Sequence, residues 1–157
     1  MVADANAVGL QYVVIGGFSV IANGYLRATK DSDLLISDDP RALGAMVSFL
    51  DRVGATRLHD GKRLIQDDVR EAEHLRVGSC HGIIDLLRGG LPPLDFATVA
   101  ARALSIDVAG ERAHVADLRS IVAFKRLADR PRDRNDLLEL EALHGPLPVE
   151  PIPGLDD

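Results

Sequence analysis

The N-terminal third of the chain alternates short apolar runs with glycine stops. Residues 12–15 form a β-branched and aromatic run that is cut off by Gly16 and Gly17, a pattern typical of a buried strand that ends in a tight turn. Gly24 and Gly54 likewise end segments with helical spacing. The pattern predicts, in order, a short helix or frayed end over 1–10, a strand over 12–15, a helix over 18–23, a strand over 30–36 and a helix over 42–53.

The rest of the chain is weakly patterned at first and clearly periodic later. Weak alternation predicts a hairpin formed by residues 62–68 and 73–77, and the apolar run 82–87 predicts a short strand interrupted by one acid. The later elements are a glycine- and proline-rich loop over 89–93, a helix over 95–104, a hairpin over 106–115 that turns at Ala109-Gly110, and helices over 118–129 and 134–143.

Length and composition indicate one folded domain and a proline-rich tail. The 157 residues are 46% hydrophobic and 27% charged, which is ordinary for a globular protein, and they are too few for two full domains. We therefore expect a single domain over 1–144. Residues 145–157 contain four prolines, cannot continue a helix and are expected to be extended or disordered.

Charge and residue usage disfavour several classes of protein. The formal net charge is −6, whereas proteins that grip long nucleic acid usually carry a basic face. The single cysteine, Cys80, permits no intrachain disulfide and suits a reducing compartment. The five histidines are scattered and form no HExxH pair. No apolar run is long enough for a membrane span and no secretory signal pattern is present, so we expect a cytoplasmic protein that does not bind membranes.

Two of the candidate chemical groups are aspartates on one predicted strand. Strand periodicity puts Asp31 and Asp33 on the same face as Leu35, so two carboxylates stand about 6–7 Å apart along the backbone. Like charges placed in this way repel one another, and desolvation increases the cost. A bound cation would relieve the repulsion, although an acid-x-acid pair is also common by chance.

A third aspartate interrupts the apolar strand 82–87. An unpaired Asp85 at the centre of a buried strand would cost several kcal/mol, of the order expected for a buried ion. It is either an edge residue, a salt-bridge partner for an arginine, or a member of a metal site together with Asp31 and Asp33. Magnesium prefers such oxygen ligands and commonly binds one or two carboxylates together with substrate phosphates.

The glycine pair precedes the acidic strand and is compatible with phosphate binding. Gly16 and Gly17 would let the backbone approach a ligand closely, free amides at a helix start attract anions, and the hydroxyl of Ser19 could contribute. A glycine pair is nevertheless a simple turn more often than not. Neither GxxxxGK[ST] nor GxGxxG is present, so the P-loop and Rossmann fingerprints are missing.

In combination these features resemble the signature of the DNA polymerase β-like nucleotidyltransferases: a glycine pair, an acid-x-acid strand and a third acid on a neighbouring strand. Within that superfamily, the segment 12–36 resembles the minimal bacterial enzymes related to AbiEii-type toxins, which carry R-x-T-x-D-x-D after the glycine pair. Residues 118–143 resemble their C-terminal helical pair. The matching residues are Gly16, Gly17, Arg27, Thr29, Asp31 and Asp33 in the first segment and Lys125, Arg130, Asp133 and Asp136 in the second.

The resemblance spans about residues 10–143 and implies both a fold and an activity. The fold is α+β (α/β): a polymerase β-like core with a small mixed sheet flanked by helices and followed by a C-terminal helical pair. The activity is transfer of a nucleoside monophosphate from a nucleoside triphosphate to an acceptor hydroxyl, with release of pyrophosphate. Ser32 departs from the aliphatic residue usual in the family, and its place on the opposite face of the strand makes this a packing change.

The resemblance also implies roles for individual residues. Two Mg²⁺ ions, for which Mn²⁺ could substitute, would be held by the carboxylates of Asp31, Asp33 and Asp85, and Asp85 would help to deprotonate the acceptor. The nucleotide would be bound by Gly16, Gly17, Ser19, Arg27, Lys125 and Arg130. The acceptor would be a tRNA end, a protein or a small molecule such as an aminoglycoside, and a cognate antitoxin or a second copy of the chain could complete the cleft.

Several of these residues keep a structural alternative. Lys125 lies on the core-facing stripe of its predicted helix, where it either extends along the edge of the core or meets the triphosphate. Asp133 and Asp136 fit the first turn of the last helix as caps. Arg27 and Thr29 either order the turn before the acidic strand or contact substrate. For the chain as a whole, the alternatives are a non-catalytic nucleotide- or partner-binding module and a metal-dependent phosphohydrolase.

Overall fold

The protein is described here by a computed structural model that covers residues 1–157. Its strands are β1 (Tyr12–Ile15), β2 (Asp31–Ile36), β3 (Thr56–Arg57), β4 (His74–Ser79), β5 (Gly82–Arg88), β6 (Leu104–Val108) and β7 (Glu111–Val115). Its helices are α1 (Val2–Ala7), α2 (Gly16–Ala22), α3 (Leu43–Arg52), α4 (Gln66–Glu71), α5 (Phe96–Arg102), α6 (Leu118–Ala128) and α7 (Pro131–His144), and a 3₁₀ turn (Pro40–Ala42) precedes α3. None of the helices combines the length and the apolar composition needed to cross a bilayer.

All seven strands form one mixed sheet with the order β3-β4-β5-β2-β1-β7-β6. The central strand β2 runs antiparallel to β1 and parallel to β5, and β1 also pairs in parallel with β7. Two hairpins, β4–β5 and β6–β7, extend the sheet on either side. The predicted mixed sheet with flanking helices and a C-terminal helical pair is confirmed.

Alternation along β2 separates two hydrophobic cores, one on each face of the sheet. Leu34 and Ile36 join the larger core, which α1, α3 and α4 cover with Ala5, Phe49, Val69 and their neighbours. Leu35 joins the second core, to which α2, α5, α6 and α7 contribute Val20, Val99, Ile121 and Leu140. The aspartates of β2 share the face of Leu35, as the strand period predicts. They lie in the half of β2 that is only partly buried, before its fully buried C-terminal residues.

The hairpin predicted for residues 62–68 and 73–77 is wrong. Residues 66–71 form helix α4, whose Val69 is buried against the larger core, so a strand period does not describe them. The second segment is a strand, but β4 pairs with β5 through a tight turn at Cys80 and His81. This pairing brings His74 opposite Leu87 and Arg76 opposite Asp85, which bears directly on the site.

The proline-rich tail has no helix or strand, but it packs on the domain. Ile152 is buried in a small cluster with Leu94 and Ala123. Glu150 accepts hydrogen bonds from the guanidinium groups of Arg102 at 2.8 Å and Arg119 at 3.2 Å. An apolar anchor and an ion-paired carboxylate thus connect residues 145–157 to the domain.

Candidate functional site

The three aspartates singled out from the sequence converge on one cavity. Asp33 of β2 and Asp85 of β5 are direct partners in the parallel register. Asp31 precedes Asp33 by two residues and therefore lies on the same face of β2. All three line a cavity of about 710 Å³, whose other walls come from the β1–α2 turn and from helices α6 and α7. The predicted convergence of carboxylates from two adjacent strands is therefore present.

The environment of Asp33 disfavours its negative charge. Burial raises the pKa of Asp33 above its usual value, and the negative charges of Asp85 and Asp31 raise it further. Hydrogen bonding to the backbone of Gly17 and the charge of Lys125 act in the opposite direction but do not compensate. The ionised form of Asp33 is thus disfavoured, and a cation beside it would favour ionisation.

Two of the carboxylates are held by one guanidinium from the neighbouring strand. Arg76 of β4 donates from Nη2 to Asp31 Oδ2 at 2.7 Å and from Nη1 to Asp85 Oδ2. The other oxygen of Asp85 lies 2.9 Å from His74 Nε2. A salt bridge between Asp85 and an arginine was one of the three alternatives that the sequence left for this residue, and the structure contains it. Both of its oxygens are engaged, and its side chain is only 6% exposed.

The donor set fits a hard divalent cation, but the present arrangement does not form a closed metal cage. Carboxylate oxygens are the ligands that Mg²⁺ prefers, and Asp31, Asp33 and Asp85 all line the cavity. No group of three or more histidine, cysteine, aspartate or glutamate side chains is nevertheless arranged to hold a metal ion. The guanidinium of Arg76 bridges two of the three acids, so a shared ion would have to replace it.

The glycine pair makes room for neighbouring side chains at the floor of the cavity. Gly16 has a left-handed φ of +64°, and a Cβ added there would lie 2.0 Å from Asp33 Oδ2. A Cβ on Gly17 would lie 2.4 Å from Thr29 Oγ1. The two glycines thus allow Asp33 and Thr29 to pack directly onto the β1–α2 turn, whatever ligand the turn also meets.

We expect Gly16→Ala to lower the free energy of unfolding by about 1–2 kcal/mol, since alanine is strained at positive φ, and to displace the Asp33 carboxylate as well. Chemical denaturation measures the first effect and the divalent-metal affinity of the folded variant the second. Gly44→Ala is the matched control, because nothing lies within 4 Å of its added Cβ and alanine favours helix α3. Equal stability of the two variants would contradict the packing described for Gly16.

The predicted phosphate-binding cations form a network with two buried carboxylates of α7. Lys125 Nζ lies 2.6 Å from Asp133 Oδ1 and 2.7 Å from Asp136 Oδ2. Arg27 makes a bidentate pair with Asp136 at 2.6 and 2.8 Å, and Arg130 Nε lies 2.6 Å from Asp133 Oδ2. Three cations meet two fully buried anions, so the network has one positive charge in excess.

This network settles how the two α7 aspartates are used. Burial raises the pKa of Asp133, but Arg130 and Lys125 lower it more, and the net result lies below the usual value. α7 begins at Pro131, three residues before its predicted start, so Arg130 is the N-cap and Asp133 lies at N3. From there Asp133 accepts from the Arg130 backbone N–H at 3.3 Å and also binds Lys125. Asp136 makes no cap; it pairs with Arg27 and Lys125, both of which line the cavity.

The structure does not bring Ser19 to the cavity. Its side chain is fully buried, and its hydroxyl donates to the carbonyl oxygen of Gly16 at 2.7 Å. Ser19 therefore stabilises the turn that carries the glycine pair. The other residues predicted to bind nucleotide, namely Gly16, Gly17, Arg27, Lys125 and Arg130, all line the cavity, together with Thr29 and Arg132.

Sequence reasoning missed two residues of the site, His74 and Arg76. Both lie on β4, where His74 is opposite Leu87 of β5 and Arg76 is opposite Asp85, so their side chains share the face of the sheet that carries Asp85. The alternation His74-x-Arg76 could have indicated that both side chains share one face of a strand. The segment was predicted to be a strand, but it was paired with residues 62–68 instead of with β5. One of the histidines that are scattered along the sequence therefore lies beside the acids, since His74 contacts Asp85 across the sheet.

No family model matches the chain, and no curated protein is significantly similar to it. Solved structures do share its fold. The crystal structure of ANT(2'')-Ia in complex with adenylyl-2''-tobramycin is similar with a TM-score of 0.59 at 14% identity, over 91% of this chain and 84% of that chain. An antigenic nucleotidyltransferase-like protein from Paracoccidioides brasiliensis gives 0.59 at 15% identity, over 90% and 72%.

The solution structure of the antibiotic-resistance factor ANT(2'')-Ia is also similar, with a TM-score of 0.56 at 15% identity over 91% of this chain and 80% of that chain. At such identities the similarity establishes the fold and no more. The chain thus has the polymerase β-like nucleotidyltransferase fold that its sequence predicted.

Proposed function

We propose that the protein is a Mg²⁺-dependent nucleotidyltransferase that moves a nucleoside monophosphate from a nucleoside triphosphate to an acceptor hydroxyl and releases pyrophosphate. The observation that carries the proposal is the convergence of Asp31, Asp33 and Asp85 in one cavity beside the Gly16-Gly17 turn. The nucleotidyltransferase fold gives this constellation its context.

Asp31, Asp33 and Asp85 would hold the divalent metal, with Mn²⁺ as a substitute for Mg²⁺. When bound, the metal supplies positive charge that neutralises the triphosphate and the developing charge of the displacement. Asp85 would accept the proton of the acceptor hydroxyl after release from Arg76 and His74. Asp85 lies on β5, on the opposite side of β2 from the glycine turn, so the acceptor and the phosphates would approach the metal from different sides.

The cation network would serve the leaving pyrophosphate. Lys125, Arg27 and Arg130 carry three charges against the two of Asp133 and Asp136, so one positive charge remains to meet an anion in the cavity. Preorganised positive charge at the point where negative charge develops lowers the barrier, because no reorganisation is required during the reaction. Asp133 and Asp136 would act as positioning residues by fixing these cations.

The acceptor and the biological context are proposed only as classes. A tRNA end, a protein or a small molecule would each present a hydroxyl to Asp85. The AbiEii-type resemblance suggests a toxin–antitoxin component, with a cognate antitoxin or a second copy of the chain as partner, and a cytoplasmic location. The ANT(2'')-Ia structure contains adenylyl-2''-tobramycin, which makes small hydroxylated molecules the first acceptors to test.

The test is incubation of the purified protein with each of the four α-labelled ribonucleoside triphosphates, Mg²⁺ and separate pools of RNA, protein and small molecules. We expect label in one pool and an equimolar amount of pyrophosphate. Orthophosphate without label would indicate a phosphohydrolase instead, a reading that the contact of His74 with Asp85 keeps open. Chelation of the metal should abolish transfer.

A second candidate is a non-catalytic nucleotide-binding module of the same fold. The bridge from Arg76 to Asp31 and Asp85 favours it, because an arginine that never leaves would keep a metal out permanently. Calorimetry then distinguishes the two: nucleotide binding that is indifferent to Mg²⁺, with no label transferred to any pool, supports the module.

A further inference from the structure

The guanidinium of Arg76 differs from the other cations of the cavity in the carboxylates with which it pairs. Lys125, Arg27 and Arg130 are held by the carboxylates of α7, whereas Arg76 pairs only with Asp31 and Asp85, two of the three acids of the site. Its pKa is raised, chiefly by the hydrogen bond to Asp31, so its charge is permanent.

We propose that Arg76 is a displaceable counter-ion that keeps free divalent cations off the three carboxylates and yields them when the phosphates of a nucleoside triphosphate take over its guanidinium. The inference rests on the proposed function, because it assumes that the same acids hold the metal. It adds what that function does not contain: a residue that makes metal binding depend on the nucleotide.

The geometry gives Arg76 a fixed base and a movable end. Its backbone is directly opposite Asp85 in the β4–β5 register, so its guanidinium cannot leave the neighbourhood of the site. Its side chain is 43% exposed, in contrast to the 6% of Asp85, and it lines the cavity that would hold the triphosphate. A guanidinium binds phosphate as well as carboxylate through the same planar fork.

The charge balance predicts the direction of the effect. The three carboxylates and the Arg76 guanidinium together carry a net charge nearer −2 than −3, and Arg76 donates to two of the carboxylate oxygens. A free metal ion must therefore compete with an intramolecular cation, and one opposite charge within about 4–6 Å changes such equilibria by about 10–1000-fold. A nucleotide that engages Arg76 removes this competition, so metal and nucleotide bind cooperatively.

The test is titration of the full chain with Mn²⁺ alone, followed by electron paramagnetic resonance. Arg76→Met is expected to bind Mn²⁺ at least about tenfold more tightly than the wild type. Arg76→Lys, which keeps the charge but cannot bridge two carboxylates with a fork, should fall between them. Arg41→Met is the matched control, because Arg41 is 91% exposed and pairs only with Asp39; its affinity for Mn²⁺ should equal that of the wild type.

Thermal unfolding provides a readout that does not depend on activity. Mn²⁺ should raise the Tm of Arg76→Met more than that of the wild type, since a ligand stabilises in proportion to its affinity. If Arg76→Met does not fold without metal, its refolding on addition of Mn²⁺ and the titration of Arg76→Lys carry the test. A Mn²⁺ affinity in both variants that equals or falls below that of the wild type would overturn the inference and leave Arg76 a structural salt bridge.

Failure of the inference and failure of the proposed function are distinguishable. If the wild type binds Mg²⁺ with a non-hydrolysable nucleotide, and Asp33→Asn abolishes that binding, the metal site is supported. An unchanged Mn²⁺ affinity in the Arg76 variants would then count only against the role of Arg76 as a displaceable counter-ion. If neither the wild type nor Arg76→Met binds metal in any combination, both proposals fall together.

Discussion

The Asp33→Asn substitution is expected to lower nucleotide transfer by about a thousandfold or more, which corresponds to about 4 kcal/mol or more of lost transition-state stabilisation. Asp33 lies at the centre of the acid cluster, opposite Asp85 and two residues from Asp31, and it is the one acid that no arginine holds. Its removal takes away the carboxylate most available to a divalent ion. The rate of label transfer from the α-labelled triphosphate measures the effect.

The same substitution should leave the fold at least as stable as in the wild type. Burial and the neighbouring carboxylates raise the pKa of Asp33, so the native state binds this proton more tightly than the unfolded state does. Stability associated with Asp33 is therefore present below the ordinary carboxyl pKa and is lost as the pH rises through the raised value. At neutral pH the ionised Asp33 destabilises the fold, and a neutral asparagine removes that effect.

Loss of activity with an unchanged or higher Tm would thus assign Asp33 to the chemistry and not to folding. Asp38→Asn serves as the control, because Asp38 is exposed just after β2 and should leave both rate and Tm unaltered. Transfer by Asp33→Asn at a rate near that of the wild type would refute its assigned role.

The second large effect is expected from Asp136→Asn, which should lower the free energy of unfolding by about 3–5 kcal/mol. Asp136 is fully buried and pairs with both Lys125 and Arg27. Without its charge, Arg27 loses its only carboxylate partner, while Lys125 and Arg130 still share Asp133, so three cations face a single buried anion. Equilibrium denaturation in urea measures the loss.

Glu139→Gln is the matched control on the same helix, because Glu139 is exposed and takes part in none of the ion pairs of the network; its unfolding should match that of the wild type. Addition of a nucleoside triphosphate analogue should restore part of the stability of Asp136→Asn, since the triphosphate would supply the missing negative charge. A loss smaller than about 1 kcal/mol would mean that the network is solvated and that its cations are not held in place by α7.

The sequence was sufficient for those parts of the fold that depend on local pattern. The period of two along β2 correctly separated Asp31 and Asp33 from Leu34 and Ile36, because a strand has only two faces. The position of Asp85 in the middle of an apolar strand predicted that its carboxylate needs a partner, and Arg76 pairs with it in the structure. The hairpin at Ala109-Gly110 and both C-terminal helices followed from turn residues and from helical spacing.

The parts of the fold and of the site that were not predicted depend mostly on contacts between segments that are distant in the sequence. Strand β4 is mostly polar, and nothing in its own residues indicates that β5 is its neighbour, so Arg76 and His74 were not connected with Asp85. Lys125 meets the carboxylates of Asp133 and Asp136 because α6 and α7 pack together in the second core, and this contact between two helices is not visible in either helix alone. Helix α4 was missed because one buried residue, Val69, is too short a signal for periodicity.

The most direct test of the central claim is diffraction at the manganese absorption edge from crystals grown with Mn²⁺ and a non-hydrolysable nucleoside triphosphate. The account predicts an anomalous peak about 2.1–2.2 Å from carboxylate oxygens of Asp31 and Asp33, with Asp85 in or next to the coordination sphere and Arg76 turned onto phosphate. A nucleotide bound with no such peak, while Arg76 still bridges Asp31 and Asp85, would contradict it.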